Sequence, residues 1–105
     1  MLIQLDKVGL RAFNQLSLLH TSMQQLRKLD LSNNELEEFP FAELFQLNGL
    51  LILKLAYNHL RTLPDDAFKG CVRLKMLDLS FNQLNYLGNN AFSGEFACVA
   101  QIEAR

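Results

Sequence analysis

Two histidines, two cysteines and a serine that recurs in two copies of one phrase are the side chains through which this chain could carry a reaction or a metal. A nucleophile needs a base within hydrogen-bond reach, and a structural zinc needs ligands at short, fixed spacings. Neither His20 nor His59 lies in a pattern with a nucleophile or a second ligand. Cys71 and Cys98 stand 27 residues apart, which matches no zinc spacing, and there is no glycine-rich phosphate loop. Ser32 and Ser80 occupy one repeated position, so they belong to a repeat and not to a catalytic group. The expectation is a protein that is not an enzyme, with no catalytic residue, no metal and no cofactor. The chemistry that the spacing does single out belongs to asparagine. Asn34, Asn58 and Asn82 recur every 24 residues, and a buried amide can bridge backbone groups that a turning chain leaves without partners.

The asparagines sit inside three copies of one phrase: LRKLDLSNNELEEF from Leu26, LLILKLAYNHLRTL from Leu50 and LKMLDLSFNQLNYL from Leu74. In each copy aliphatics follow the first residue three, five and ten positions on, as Leu50, Leu53, Leu55 and Leu60 do in the middle one. The two strand leucines enclose Asp30, Lys54 or Asp78, which is the period-two alternation of a half-buried strand. Each copy therefore predicts one short strand whose leucine face must be buried on the copies beside it. Successive strands run parallel, about 4.8 Å apart. The segment after each strand is short and carries Pro40, Pro64 or Gly88, which predicts 3₁₀ turns and irregular loop with at most one short helix. Leu44, Phe68 and Phe92 form one column of large side chains in that return path.

Stacked copies place outward residues in columns. The position between the strand leucines gives Gly9, Asp30, Lys54, Asp78 and Glu103, and the column before it gives Lys7, Lys28, Ile52, Met76 and Gln101. Beside the asparagines come Ala12, Asn33, Tyr57 and Phe81. Ile52, Tyr57, Met76 and Phe81 thus cluster on adjacent copies with Lys54, Asp78 and Asp30 at the rim, an apolar patch in a polar border that suits a protein partner. The sign alternation of Asp30, Lys54 and Asp78 predicts cross-strand ion pairs, each worth about 0–1 kcal/mol when exposed. Lys7, Arg11, Arg27 and Lys28 make a modest basic edge that reads as a solvated face.

At 105 residues the chain makes one domain, 1–105, with repeats over approximately 5–25, 26–49, 50–73 and 74–98 and a partial one over 99–105. The first is degenerate, and its favoured register places Leu5, Val8 and Leu10 in the strand because the alternative brings Lys7 into the buried column. In the last, Val99 and Ile102 match Leu74 and Leu77. Neither end carries an obvious polar cap, so the chain reads as a piece of a longer solenoid able to associate through its uncapped ends. Cys71 falls in an inward column, and Cys98 lies roughly 8 Å from it, slightly beyond the about 7 Å reach of a disulfide. Half the residues are apolar and the formal net charge is −1, which argues against a nucleic-acid or membrane-surface binder. No apolar run approaches the roughly 18–20 residues of a membrane span, and the N-terminus does not read as a signal peptide.

The 24-residue unit with Pro64, Ala67 and Phe68 ahead of Leu74, Leu77, Leu79, Asn82 and Leu84 resembles the typical leucine-rich repeat of Toll-like receptors, Slit and related extracellular proteins. That resemblance extends over about residues 5–104. It implies an α/β fold: a right-handed solenoid forming a segment of a horseshoe, with parallel β-strands on the concave face and an irregular or 3₁₀ convex side. It also implies recognition of a protein or other ligand on the concave face, with an extracellular receptor or adhesion protein as the setting. An intracellular adaptor using the same face and a structural spacer are the alternatives.

Overall fold

The computed structural model describes residues 2–4, 25–39, 41, 47–68, 73–89 and 99–101. Five three-residue strands, β1 (Leu2–Gln4), β2 (Lys28–Asp30), β3 (Ile52–Lys54), β5 (Met76–Asp78) and β7 (Val99–Gln101), form one parallel sheet in the order β1-β2-β3-β5-β7. Two shorter strands, β4 (Thr62–Leu63) and β6 (Tyr86–Leu87), form a second parallel sheet. Among the described residues there is no α-helix, and Gln25, Phe41 and Leu47 lie in short 3₁₀ turns. This is a solenoid segment of parallel strands, one coil per phrase.

The alternation in the phrase sets the packing. Leu29, Leu53 and Leu77 pair in register across β2, β3 and β5 and are fully buried. The aliphatics on either side of the strand, Leu26, Leu50 and Leu74 before it and Leu31, Leu55 and Leu79 after it, join the same core. Burying one such leucine is worth about 1.5–3 kcal/mol, but only because a neighbouring coil covers it. On the return side Phe68 is fully buried, as its column requires, and Leu44 and Phe92 lie outside the described residues. Phe41 adds a contact that the repeat pattern does not announce. Its ring meets Phe39 and Phe68 edge-on, with centroids 5.0 Å and 5.4 Å away.

The end strands depart from the expected register. β1 pairs Ile3 with Leu29, so Ile3 and not Val8 continues the leucine column, and Gln4 and not Gly9 lies beside Asp30. Neither the favoured register nor the one that brings Lys7 into the buried column forms: the sequence alternates with period two over Ile3-Gln4-Leu5, and the ladder forms from Leu2 to Gln4. β7 pairs Ala100 with Leu77, which puts Val99 beside Met76 and Gln101 beside Asp78. Choosing the largest aliphatic pointed to Ile102, whereas the backbone ladder accepts the small Ala100 in the leucine column. The second sheet was likewise unforeseen. After the asparagine turn the chain extends again, and Asn85 N–H donates to Arg61 C=O at 2.9 Å while Gly88 N–H donates to Leu63 C=O at 2.7 Å. Cys71, Cys98 and His20 lie outside the described residues.

Candidate functional site

The strand face is held from below by its asparagines. Asn58 lies inside the turn, where its Nδ2 donates to Leu55 C=O and to Leu31 C=O of the preceding coil, both at 3.0 Å. Its Oδ1 accepts the Leu36 N–H at 3.1 Å. Asn82 repeats the arrangement one coil later, donating to Leu55 C=O at 2.9 Å and accepting from Leu60 N–H at 3.0 Å. Asn34 donates to Leu31 C=O and Ser32 C=O within its own turn. One amide thus closes its own turn and ties it to the coil before.

Turning an asparagine inward forces the preceding residue into the left-handed region. Asn33, Tyr57 and Phe81 have φ of 58°, 57° and 60°. Asparagine tolerates that conformation because its short polar side chain can hydrogen-bond locally, whereas a bulky side chain carries a cost of roughly 1–2 kcal/mol. Two of the three coils nevertheless place an aromatic there. Tyr57 and Phe81 stack with centroids 4.4 Å apart and planes 7° from parallel. They remain 51% and 38% exposed, well above the surrounding strand residues.

Beside the stack, Ile52 pairs with Met76 and Lys54 with Asp78 in the ladder, all four half-buried. The predicted ion pairs across Asp30, Lys54 and Asp78 do not form. Instead the Asp30 carboxylate accepts the Ser32 N–H at 3.0 Å, and Asp78 accepts the Ser80 N–H at 3.0 Å together with the Ser80 hydroxyl. The backbone after each strand offers an N–H that the ladder does not use, and a carboxylate two residues back captures it. Asp30 is therefore buried, and its role is to fix the turn. Lys54 stands in the same column with Ala56 where the other coils have serine.

The basic edge read from the sequence at Arg27 and Lys28 continues further than that reading took it, to Arg73 and Lys75. The residues leading into β2, β3 and β5 carry Arg27, Lys28, Arg73 and Lys75 around the half-buried Leu51, with no carboxylate among residues 25–28, 49–52 and 73–76. Arg27 also reaches the Gly49 carbonyl at 3.4 Å. The column one residue ahead of Ile52 and Met76, which holds Arg27, Leu51 and Lys75, would have added Lys75. Lys7 and Arg11, the other half of the predicted basic edge, lie outside the described residues. His59 is exposed, and its N–H joins the turn ladder at Leu36 C=O. Among the described residues no group of three or more His, Cys, Asp or Glu side chains could hold a metal ion. No described helix is long and apolar enough to cross a membrane.

Comparison with known families gives two matches, both to models of the leucine-rich repeat, over residues 25–47 and 49–95. The chain is a leucine-rich-repeat protein. The family is generally a non-enzymatic binding scaffold, and its fold suggests protein partners. Among solved structures, this leucine-rich-repeat protein is similar to a chain in the structure of the Toll–Spatzle complex, described as a molecular hub in Drosophila development and innate immunity. The two share 29% sequence identity with a TM-score of 0.73, over 82% of this chain and 11% of that one. The leucine-rich repeats here therefore span about a tenth of the length of the chain they resemble. Comparison with curated proteins found no match.

Proposed function

We propose that these leucine-rich repeats recognise a protein partner on the strand face, centred on the Tyr57–Phe81 stack. Ile52, Met76, Lys54 and Asp78 surround the contact, and Asp30 fixes its border. The observation that carries this reading is the pair of exposed aromatics kept in a left-handed backbone, where asparagine is the less strained residue. Strain retained at an exposed position is a mark of function, because stability alone selects against it. Aromatic anchors within a polar rim are also what dominates the energy of protein interfaces. An extracellular receptor or adhesion protein is the setting that the likeness to the Toll–Spatzle structure supports.

Asn33 supplies the control. Replacing Tyr57 and Phe81 together by asparagine removes the rings and relieves the backbone, while losing a stack worth about 0.5–1.5 kcal/mol. The variant is expected to stay within about 1 kcal/mol of the parent in urea unfolding, yet to lose its partner. Immobilised parent and variant are to be exposed to cell-surface and secreted protein fractions, and to cytosol, with captured proteins identified by mass spectrometry. A surface or secreted protein bound by the parent alone supports the proposal. A cytosolic one would move the function to an intracellular adaptor. Identical captures by both chains would reduce these repeats to a spacer.

A further inference from the structure

Three coils of one design allow each to serve as the control for the others. At the position between the strand leucines, two coils carry aspartate, and each aspartate holds the N–H of a serine two residues on. In the middle coil both members of that pair are changed, to Lys54 and Ala56. The middle coil has therefore given up a turn bond that its neighbours keep, and presents an ammonium in its place. Among the described residues Lys54 forms no ion pair, and the carboxylates flanking it bond to Ser32 and Ser80 through Oδ1. It lies three residues from Tyr57, on the same coil and the same face.

Asp30 and Asp78 stand on either side of Lys54 in the ladder, and beyond that column the charge is divided between two edges. Arg27, Lys28, Arg73 and Lys75 occupy the edge where the chain enters the strands. Glu35, Glu37 and Glu38 occupy the flank where it leaves them, with Arg61 the cation among them on the next coil. An approaching protein is thus oriented by a dipole across the face, its acidic side drawn to the strand-entry edge. The aromatic stack adds to this locally. Each ring covers one face of the other, and the pair leaves an exposed apolar surface on the coil of Lys54 and the next. Oxygen acceptors suit Lys54.

Resting on the strand-face reading above, we infer that the partner is a protein presenting an acidic segment next to an apolar side chain. A carboxylate sits on Lys54, the apolar group packs on Ile52, Met76 and the aromatic stack, and further acids run over the basic edge. Lys54 selects the partner by its charge. Its presence costs the middle coil the turn bond that aspartate and serine give the others.

The test uses a short fluorescein-labelled peptide with a central Leu-Phe pair flanked on one side by glutamates, and versions with glutamine or lysine there. Fluorescence anisotropy is read against the whole chain, against Lys54→Asp/Ala56→Ser and against Tyr57→Asn/Phe81→Asn. The glutamate peptide is expected to bind about tenfold tighter than the glutamine one, with the preference shrinking as salt is raised. In Lys54→Asp/Ala56→Ser that preference disappears while the circular dichroism stays that of the parent, since the coil then carries the same pair as its neighbours. A variant that is folded but less selective excludes misfolding as the cause. Equal binding of the glutamate and glutamine peptides, or tighter binding of the lysine one, overturns the acidic partner. If that binding is still lost in Tyr57→Asn/Phe81→Asn, the strand-face reading survives. Failure of the glutamate peptide to bind at millimolar concentration overturns the inference, as does a preference unchanged in Lys54→Asp/Ala56→Ser.

Discussion

Asn58 illustrates how much a single side chain does in this fold. Its amide donates within its own turn and to the coil before it, and its carbonyl shields the Leu36 N–H. Alanine there leaves the buried Leu36 N–H without its acceptor and takes one donor from Leu31 C=O and Leu55 C=O, which keep Asn34 and Asn82, so Asn58→Ala is expected to lower stability by about 1–3 kcal/mol. Urea unfolding followed by circular dichroism measures this, and a change within about 0.3 kcal/mol would remove the amide from the account. Position 57 obeys the opposite logic. The asparagine is retained because the fold needs it, whereas the aromatic before it is tolerated by the fold at a cost. The two neighbours differ in which requirement chose them.

At the scale of the element, Gly88 explains a substitution that the repeat pattern leaves open. It occupies the position of Pro64 one coil earlier, and a Cβ there would fall on the backbone of Pro64 and Asp65. Its N–H also donates to Leu63 C=O at 2.7 Å, extending the second sheet. Gly88→Ala should cost about 1–3 kcal/mol through overpacking. Gly88→Pro should cost more, because proline adds the ring and removes the donor. A shifted urea midpoint with an unchanged slope is the expected signature, and a neutral Gly88→Pro would contradict the close packing of the two return segments.

The central strands were legible because Leu29, Leu53 and Leu77 are large, identical and spaced evenly. The clustering of Ile52, Met76, Tyr57 and Phe81 followed from the same spacing. β1 and β7 were misplaced because register there is decided by the ladder and not by the size of Ile3 or Ala100. β4 and β6 left no mark because Thr62–Leu63 and Tyr86–Leu87 share little beyond one leucine. The charge column misled for a different reason. Asp30 and Asp78 bond to their own chain two residues on, and such a local partner is invisible to a comparison made across coils.

For the whole molecule, stability is shared between neighbours. Leu53 lies between Leu29 and Leu77 in the ladder, so a cavity there weakens both interfaces of the middle coil. Leu53→Ala is expected to cost about 2–5 kcal/mol. Hydrogen exchange should then quicken at Leu29 and Leu77 as well as at position 53. Protection lost only at the mutated coil would show that the coils do not support one another.

The same parallel ladder has a mechanical meaning. Every main-chain bond between β2, β3 and β5 joins coils whose equivalent residues are 24 apart, as Leu29, Leu53 and Leu77 are. A force that pulls the chain ends apart breaks those bonds in batches of one coil. Each batch frees a length set by the repeat alone, about 80 Å of extended chain. In an optical trap the central coils would lengthen the molecule in equal strides, and the stride would read out the period that the sequence wrote.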